Sequence, residues 1–226
     1  MEIRLSDGRE IPVEMHKARM VQRIALTPVE ERLRAIAEAG YNTFQLKTDH
    51  VFLDMLTDSG VNAMSDNQFA EFLRTDDAYA GSRTYYEFAK AVEDVLGYKY
   101  VMNVHQGRAA EHLLVKVFAK PGDIVPTNYH FTTTKAHIEL REAVCLEIYT
   151  NEALRTDSEF PFKGNMDVHK LESIIKENGT EKVPFVRMEA TTNLIGGQPF
   201  SMANLKAVRE VCSKYGVILV LDGSLI

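Results

Sequence analysis

From about residue 98 onward, short apolar runs alternate regularly with amphipathic stretches, and this alternation constrains the fold more than any other feature. The runs are YKYVMNV (98–104), DIVPT (123–127), VCLEIYT (144–150), VPFVRMEA (183–190) and VILVLD (217–222). Between them lie helix-like segments, among them DVHKLESIIKEN (167–178) and ANLKAVREVCSKYG (203–216). Strands that are apolar on both faces need cover on both, and parallel neighbours need a crossover long enough to hold a helix. The alternation therefore predicts βαβ units: an α/β fold with a mostly parallel sheet and helices on both faces.

The earlier part of the chain is less regular. The first 25 or so residues read as an arm, with Met15, Met20, Val21 and Ile24 as packing points. Thr27-Pro28-Val29-Glu30 predicts a helix capped by Thr27, with proline at its first position and Gly40 at its end. VFLDML (51–56) reads as a short strand, and Ser65 with Gln68 as the capping box of a helix carrying Phe69, Phe72 and Leu73. After Gly81 the face Tyr85, Phe88, Ala89, Val92, Val95, Leu96 predicts a helix that Gly97 closes. In the helix after HQGR (105–108), Leu113, Leu114, Val117 and Phe118 are the expected buried face, followed by a turn at Pro121-Gly122-Asp123.

Composition narrows the function classes. The 32 acidic and 26 basic residues are spread along the chain, and no basic run offers a footprint for nucleic acid or anionic lipid. Cys145 and Cys212 are too few for a disulfide framework and are expected as buried thiols. No apolar stretch reaches signal-peptide or membrane-spanning length, which makes the cytoplasm the default expectation. The chain stops at Asp222-Gly223-Ser224-Leu225-Ile226, directly after an apolar strand. That ending is expected of a domain cut part-way, with a complete domain ending on a strand as the alternative.

Ligands of open parallel sheets bind beyond the carboxyl ends of the strands, so the segments there are the candidates for chemistry. His105-Gln106-Gly107-Arg108 opens a helix, where free N–H groups and the positive dipole end suit a phosphate, although a structural glycine turn reads the same way. Asn128 to Thr134 (NYHFTTT) offers Phe131 as a stacking plane, with a threonine-capped helix start as the alternative. Thr191 to Pro199 (TTNLIGGQP) is a polar loop with a double glycine. Asp222 ends the last strand, where a buried carboxylate needs a cation or several donors. A protonated pyridine nitrogen meets that need, and an N-cap aspartate is the plainer reading.

Several segments carry a resemblance: LTDSGVNAMSD (56–66), DDAYAGSRTYY (76–86), HQGRAAE (105–111), HFTTTKAHIE (130–139), PFKGNMD (161–167) and NLIGGQPFSMANLKAVRE (193–210). In this order they resemble the amino-terminal half of the β-eliminating lyase family of pyridoxal-phosphate enzymes, the group of tyrosine phenol-lyase and tryptophanase. The resemblance implies an aspartate-aminotransferase-like (fold type I) fold, incomplete here at its C-terminus. Residues 1–55 would be the N-terminal arm and the start of a small domain, and residues 56–226 the first part of the cofactor-binding large domain. The implied reaction is β-elimination of an aromatic amino acid, tyrosine to phenol or tryptophan to indole, with pyruvate and ammonia. The implied assembly is a homotetramer, or a complex with a second chain carrying the C-terminal half.

Carried over by position, Gln106, Gly107 and Arg108 would hold the cofactor phosphate, Phe131 would stack on the ring and Asp222 would pair with its nitrogen. Asn193 would lie near the cofactor's phenolic oxygen and the substrate carboxylate, and Thr57, Ser59 and Thr132 would contact substrate. Tyr79 would reach a neighbouring subunit's site as general acid, while Gly60 and Asp77 would bind a monovalent cation, usually potassium. The chain departs from the family at Leu225, where the family has an arginine, and at Asp77, where it has glutamate. The Schiff-base lysine of the family lies beyond residue 226, and no lysine here stands in a matching context. Thr132 follows the stacking phenylalanine as in the tyrosine type. The competing readings are a non-catalytic or split-enzyme subunit of the same fold, an aminotransferase, and a metal enzyme built on His105, Glu111, His112, His130 and His137.

Overall fold

The computed structural model describes residues 2–4, 8–12, 26–54 and 64–225, which fall into two units, residues 1–101 and 102–226. In the first unit β1 (Glu2–Arg4) and β2 (Glu10–Pro12) pair antiparallel, with Ile3 opposite Ile11. Gly8 lies between them with φ +86°, a left-handed conformation that glycine adopts freely. Met15, Met20, Val21 and Ile24 lie outside the described residues.

Helix α1 spans Val29–Glu38. Its start corrects the expectation for Thr27: Pro28, at φ −55° and ψ 153°, is the N-cap and no side chain caps the helix. Val51 to Asp54 form no strand, following instead two short 3-10 turns at Thr43–Gln45 and Thr48–His50, while Met55 and Leu56 lie outside the described residues. The capping box forms as expected at the start of α2 (Asp66–Leu73): Ser65 Oγ accepts from Gln68 N at 3.0 Å, and Gln68 Oε1 accepts from Ser65 N at 2.9 Å. Helix α3 (Arg83–Leu96) also ends as expected, on left-handed Gly97. Along α2 and α3 the apolar faces stay exposed, and between them lies an open groove lined by Met64, Phe72 and Phe88.

The second unit alternates strictly. Helix α4 (Gly107–Phe118), β3 (Ile124–Thr127), α5 (Thr132–Leu140), β4 (Val144–Glu147), α6 (Val168–Asn178), β5 (Phe185–Glu189), α7 (Met202–Tyr215) and β6 (Ile218–Asp222) follow in order. The sheet order is β4-β3-β5-β6 and every pairing is parallel. Four of the five apolar runs are thus strands. The fifth, Tyr98 to Val104, forms none, because no neighbouring strand takes up its backbone groups among the described residues.

Each sheet face has its own core. On one, Leu171, Ile174 and Ile175 of α6 and Val208 and Cys212 of α7 pack on Val186 and Met188. On the other, Val115 and Ala119 around the end of α4 and Ile138 of α5 pack on Val125 and Phe185. The period of two along β5 sends Phe185, Arg187 and Glu189 to one face and Val186 and Met188 to the other. A fully buried side chain of this size contributes roughly 1.5–3 kcal/mol. The expected buried face of α4 needs correction: Val115 and Ala119 are buried with Leu114 half-buried, whereas Leu113, Val117 and Phe118 are exposed. The helix is turned so that its small and β-branched residues, which allow close approach, meet the sheet and α5.

Candidate active site

In a parallel sheet the segments leaving the carboxyl ends of the strands share one edge. Here β3 leads to Tyr129, His130 and Phe131, β5 leads to the Thr191–Gln198 loop, and β6 ends on Asp222. Gln106, Gly107 and Arg108 open α4, with extended Gln106 as N-cap and no side chain capping the helix. Its first turn therefore presents N–H groups at the positive dipole end. One turn on, Glu111 accepts hydrogen bonds from the Thr133 and Thr134 hydroxyls, each at 2.5 Å. This pair ties the start of α4 to the first turn of α5, where Phe131 is the half-buried N-cap and Thr132 is exposed. The threonines serve Glu111, so the expected alternative of a threonine N-cap does not hold.

The double-glycine loop closes on itself. Thr192 N and its hydroxyl both donate to the Gln198 carbonyl, at 3.0 and 2.8 Å, and Gly197 N donates to the Thr192 carbonyl at 3.0 Å. Gly196 and Gly197 have φ of +90° and +67°, so this turn requires residues without a Cβ. The PFKGN segment lies against it: Gly164 N donates to the Pro199 carbonyl at 3.0 Å, and a Cβ at Gly164 would overlap Gln198 and Pro199. Asn128 locks these pieces to β5 by donating to the carbonyls of Gly164 (2.9 Å) and Glu189 (3.1 Å) and accepting from Glu189 N (2.8 Å).

A charged network lies beneath this edge. Arg187, only 2 % exposed, donates to Glu189 Oε2 at 3.0 Å and to Asp222 Oδ2 at 2.5 Å. Glu189 Oε1 in turn accepts from Asn193 N at 3.0 Å, so two expected cofactor contacts, Asn193 and Asp222, join through two residues that sequence reasoning passed over. The signal was present in an arginine inside an apolar strand with a glutamate two residues on, on the same face. Burial pushes the Glu189 carboxyl up, only partly opposed by Arg187 and the Asn193 N–H. Burial also acts to raise Asp222, but the Ser224 hydroxyl, Arg187 and the Ser224 N–H outweigh it and hold this carboxylate below its ordinary value. Cys212 is buried as expected, whereas Cys145 is only half-buried, and burial raises both thiols to about 11.

The remaining candidates lie elsewhere. Tyr79 is fully exposed and Asp77 is exposed, both in the loop before α3 in the first unit. That loop is anchored by Asp76, which accepts from Ser82 Oγ (3.0 Å), from the N–H groups of Arg83 and Thr84 (both 2.9 Å) and from the Thr84 hydroxyl. The Thr84 bonds lead in holding the Asp76 carboxyl far below the usual range. Thr57, Ser59 and Gly60 lie outside the described residues. The buried lysine among the described residues, Lys163, is engaged by the Arg155 carbonyl at 2.6 Å. His112 and His137 meet edge to face at 5.2 Å, but no group of three metal-ligating side chains converges among the described residues.

Comparison with known proteins adds the decisive observation: the beta-eliminating lyase profile matches residues 54–224. The chain belongs to the beta-eliminating lyase family. It is 46 % identical to a tyrosine phenol-lyase of Pasteurella multocida over 96 % of this chain and 47 % of that protein. It is 44 % identical to a tyrosine phenol-lyase of Symbiobacterium sp. over 93 % and 46 %, and 44 % identical to a probable beta-eliminating lyase of Trichomonas vaginalis over 95 % and 47 %. The chain thus spans about half the length of the curated relatives it matches. Among solved structures, cystalysin from Treponema denticola, which contains a pyridoxal 5'-phosphate cofactor, aligns with a TM-score of 0.50 at 17 % identity, over 68 % of this chain and 38 % of its own. The architecture is the aspartate-aminotransferase-like, fold type I arrangement of pyridoxal-phosphate enzymes.

Proposed function

We propose that this chain forms the cofactor-binding part of a pyridoxal-phosphate-dependent lyase that eliminates the side chain of an aromatic amino acid, tyrosine to phenol or tryptophan to indole. The observation that carries this reading is the Asp222 carboxylate, bound by the Arg187 guanidinium at the end of β6, on the strand-end edge shared with Phe131 and Asn193. The donor set fits the cofactor: uncapped N–H groups at the start of α4 for a phosphate, an aromatic plane at Phe131 and a carboxylate for a ring nitrogen. When bound, pyridoxal phosphate supplies an electron sink for charge developing at the amino acid's α-carbon. Asp222 would keep a proton on the ring nitrogen, and Gln106, Gly107 and Arg108 would orient the phosphate. Asn193 would align the substrate carboxylate, with Thr57, Ser59 and Thr132 also lining the substrate.

Tyr79 would give its proton to the leaving aromatic carbon in a neighbouring subunit's site. Gly60 and Asp77 would hold a potassium ion. The tetramer, the cytoplasmic setting and the division into residues 1–55 and 56–226 belong to the same proposal. The relatives named tyrosine phenol-lyase favour the tyrosine type. The Schiff-base lysine would come from outside residues 1–226, as none of the present lysines stands in the family's context.

The test compares Asp222→Ala with Phe131→Leu in the complete active assembly, measuring elimination from S-alkyl cysteine. Asp222→Ala should abolish turnover, whereas Phe131→Leu, which removes stacking worth roughly 0.5–1.5 kcal/mol, should slow it about tenfold or less. Near-normal turnover by Asp222→Ala would refute the assignment.

A further inference from the structure

The network beneath the strand-end edge contains one cation and two carboxylates. Arg187 Nη1 lies 3.0 Å from Glu189 Oε2 and Nη2 lies 2.5 Å from Asp222 Oδ2, with the Arg187 and Glu189 side chains almost fully buried and Asp222 largely so. The register of the sheet sets Glu189 directly opposite Asp222, so the two carboxylates would repel each other without the guanidinium between them. Arg187 also donates to the Tyr129 carbonyl at 3.2 Å, which fixes its plane from the β3 side. Glu189 Oε1 holds the Asn193 backbone at 3.0 Å. A planar, permanently charged fork suits such a bridge, because its donors are fixed relative to one another.

We infer that Arg187 is a positioning residue, which holds Asp222 ionised with Oδ2 fixed, and that Glu189 extends the same network to Asn193, so that both contacts are set together. The inference rests on the proposed cofactor reading for its consequence, though the ion pairs stand without it. Within the network, the charged groups acting on Glu189 are Arg187 and Asp222, and the one acting on Asp222 is Arg187. From β4, Cys145 lies within electrostatic reach of Arg187 and remains a neutral thiol, with Glu147, Lys135 and Glu139 acting on Cys145 in turn. From β3 come the uncharged Thr127 hydroxyl and the Tyr129 carbonyl, and from beyond β6 the Ser224 hydroxyl.

The direction of the pH effect follows from these contacts. Asp222 has a folded-state pKa below its unfolded value, so its contribution is fully present above roughly pH 3.9 and disappears as pH falls through the lower folded value. Removing the guanidinium raises that value, because a close opposite charge favours the carboxylate. The acid limb of any process that needs ionised Asp222 then moves toward neutrality.

The experiment measures pyridoxal phosphate affinity of the full chain against pH by equilibrium dialysis, for wild type, Arg187→Met and Arg187→Lys. The expected result is an acid limb displaced upward by about one unit or more in Arg187→Met and restored in part by Arg187→Lys, which returns the charge but not the planar fork. Superimposable limbs, or no rescue by lysine, would overturn the inference. In parallel, urea unfolding without cofactor compares Arg187→Met, Asp222→Asn and the double variant. The double variant should be more stable than Arg187→Met, because neutralising Asp222 relieves the exposed repulsion, and strictly additive losses would overturn the inference. If Arg187→Met does not fold, recovery of folding in the double variant supports the coupling and its failure counts against it. A wild-type chain that binds no pyridoxal phosphate refutes the cofactor reading alone, and the unfolding cycle then decides the role of Arg187.

Discussion

Helices α3 and α6 have similar amphipathic sequences and opposite fates. In α6, Leu171, Ile174 and Ile175 are buried against the sheet and α7. In α3, Tyr85, Phe88, Val95 and Leu96 remain exposed, and Ala35 of α1 is the buried apolar residue among the described residues of the first unit. Amphipathicity thus fixes that a helix forms and which face is apolar, but burial depends on what the rest of the polypeptide brings to that face. The second unit brings a parallel sheet, and its core stands behind the strand-end edge that holds Phe131, Asn193 and Asp222. An uncovered apolar face like that of α3 is the kind of surface that another chain or segment covers.

The contrast predicts unequal costs. The largest is expected for Phe185→Ala, which empties a fully buried site on β5 and should lose about 3–5 kcal/mol of unfolding free energy by urea titration. A loss under 1 kcal/mol would mean that the second unit has no settled core. Gly164→Ala should come next, at about 1–3 kcal/mol, because the new methyl meets backbone of the double-glycine loop and not a yielding side chain. The smallest effect is expected for Val95→Ala, which is 77 % exposed and should change stability by about 0.5 kcal/mol or less at low protein concentration. A larger loss that grows with protein concentration would sharpen the contrast, by showing that α3 is covered in an assembly.

How much was legible in the sequence follows the same division. The four strands, α6, α7, and the Ser65 and Gly97 helix boundaries were readable because hydrophobic period and cap chemistry are local properties. Val51–Asp54 and Tyr98–Val104 misled because an apolar run becomes a strand only where a partner supplies hydrogen bonds, which no local pattern records. The strand-end candidates were legible from topology, since loops after parallel strands must share an edge. Arg187 and Glu189 were missed, and Glu111 was read only as a metal ligand of a competing reading, because charged residues are ordinarily assigned to the surface, whereas here each is accounted for by a specific partner in the fold.

The central claim is that the strand-end edge of the second unit is a cofactor site. Hydrogen–deuterium exchange of the full chain with and without pyridoxal phosphate tests it most directly. Slowed exchange is expected in residues 105–110, 129–134, 191–197 and 222–224, with little change along α3. Binding that protects α3 or the α6–α7 face while leaving those four segments unchanged would contradict it.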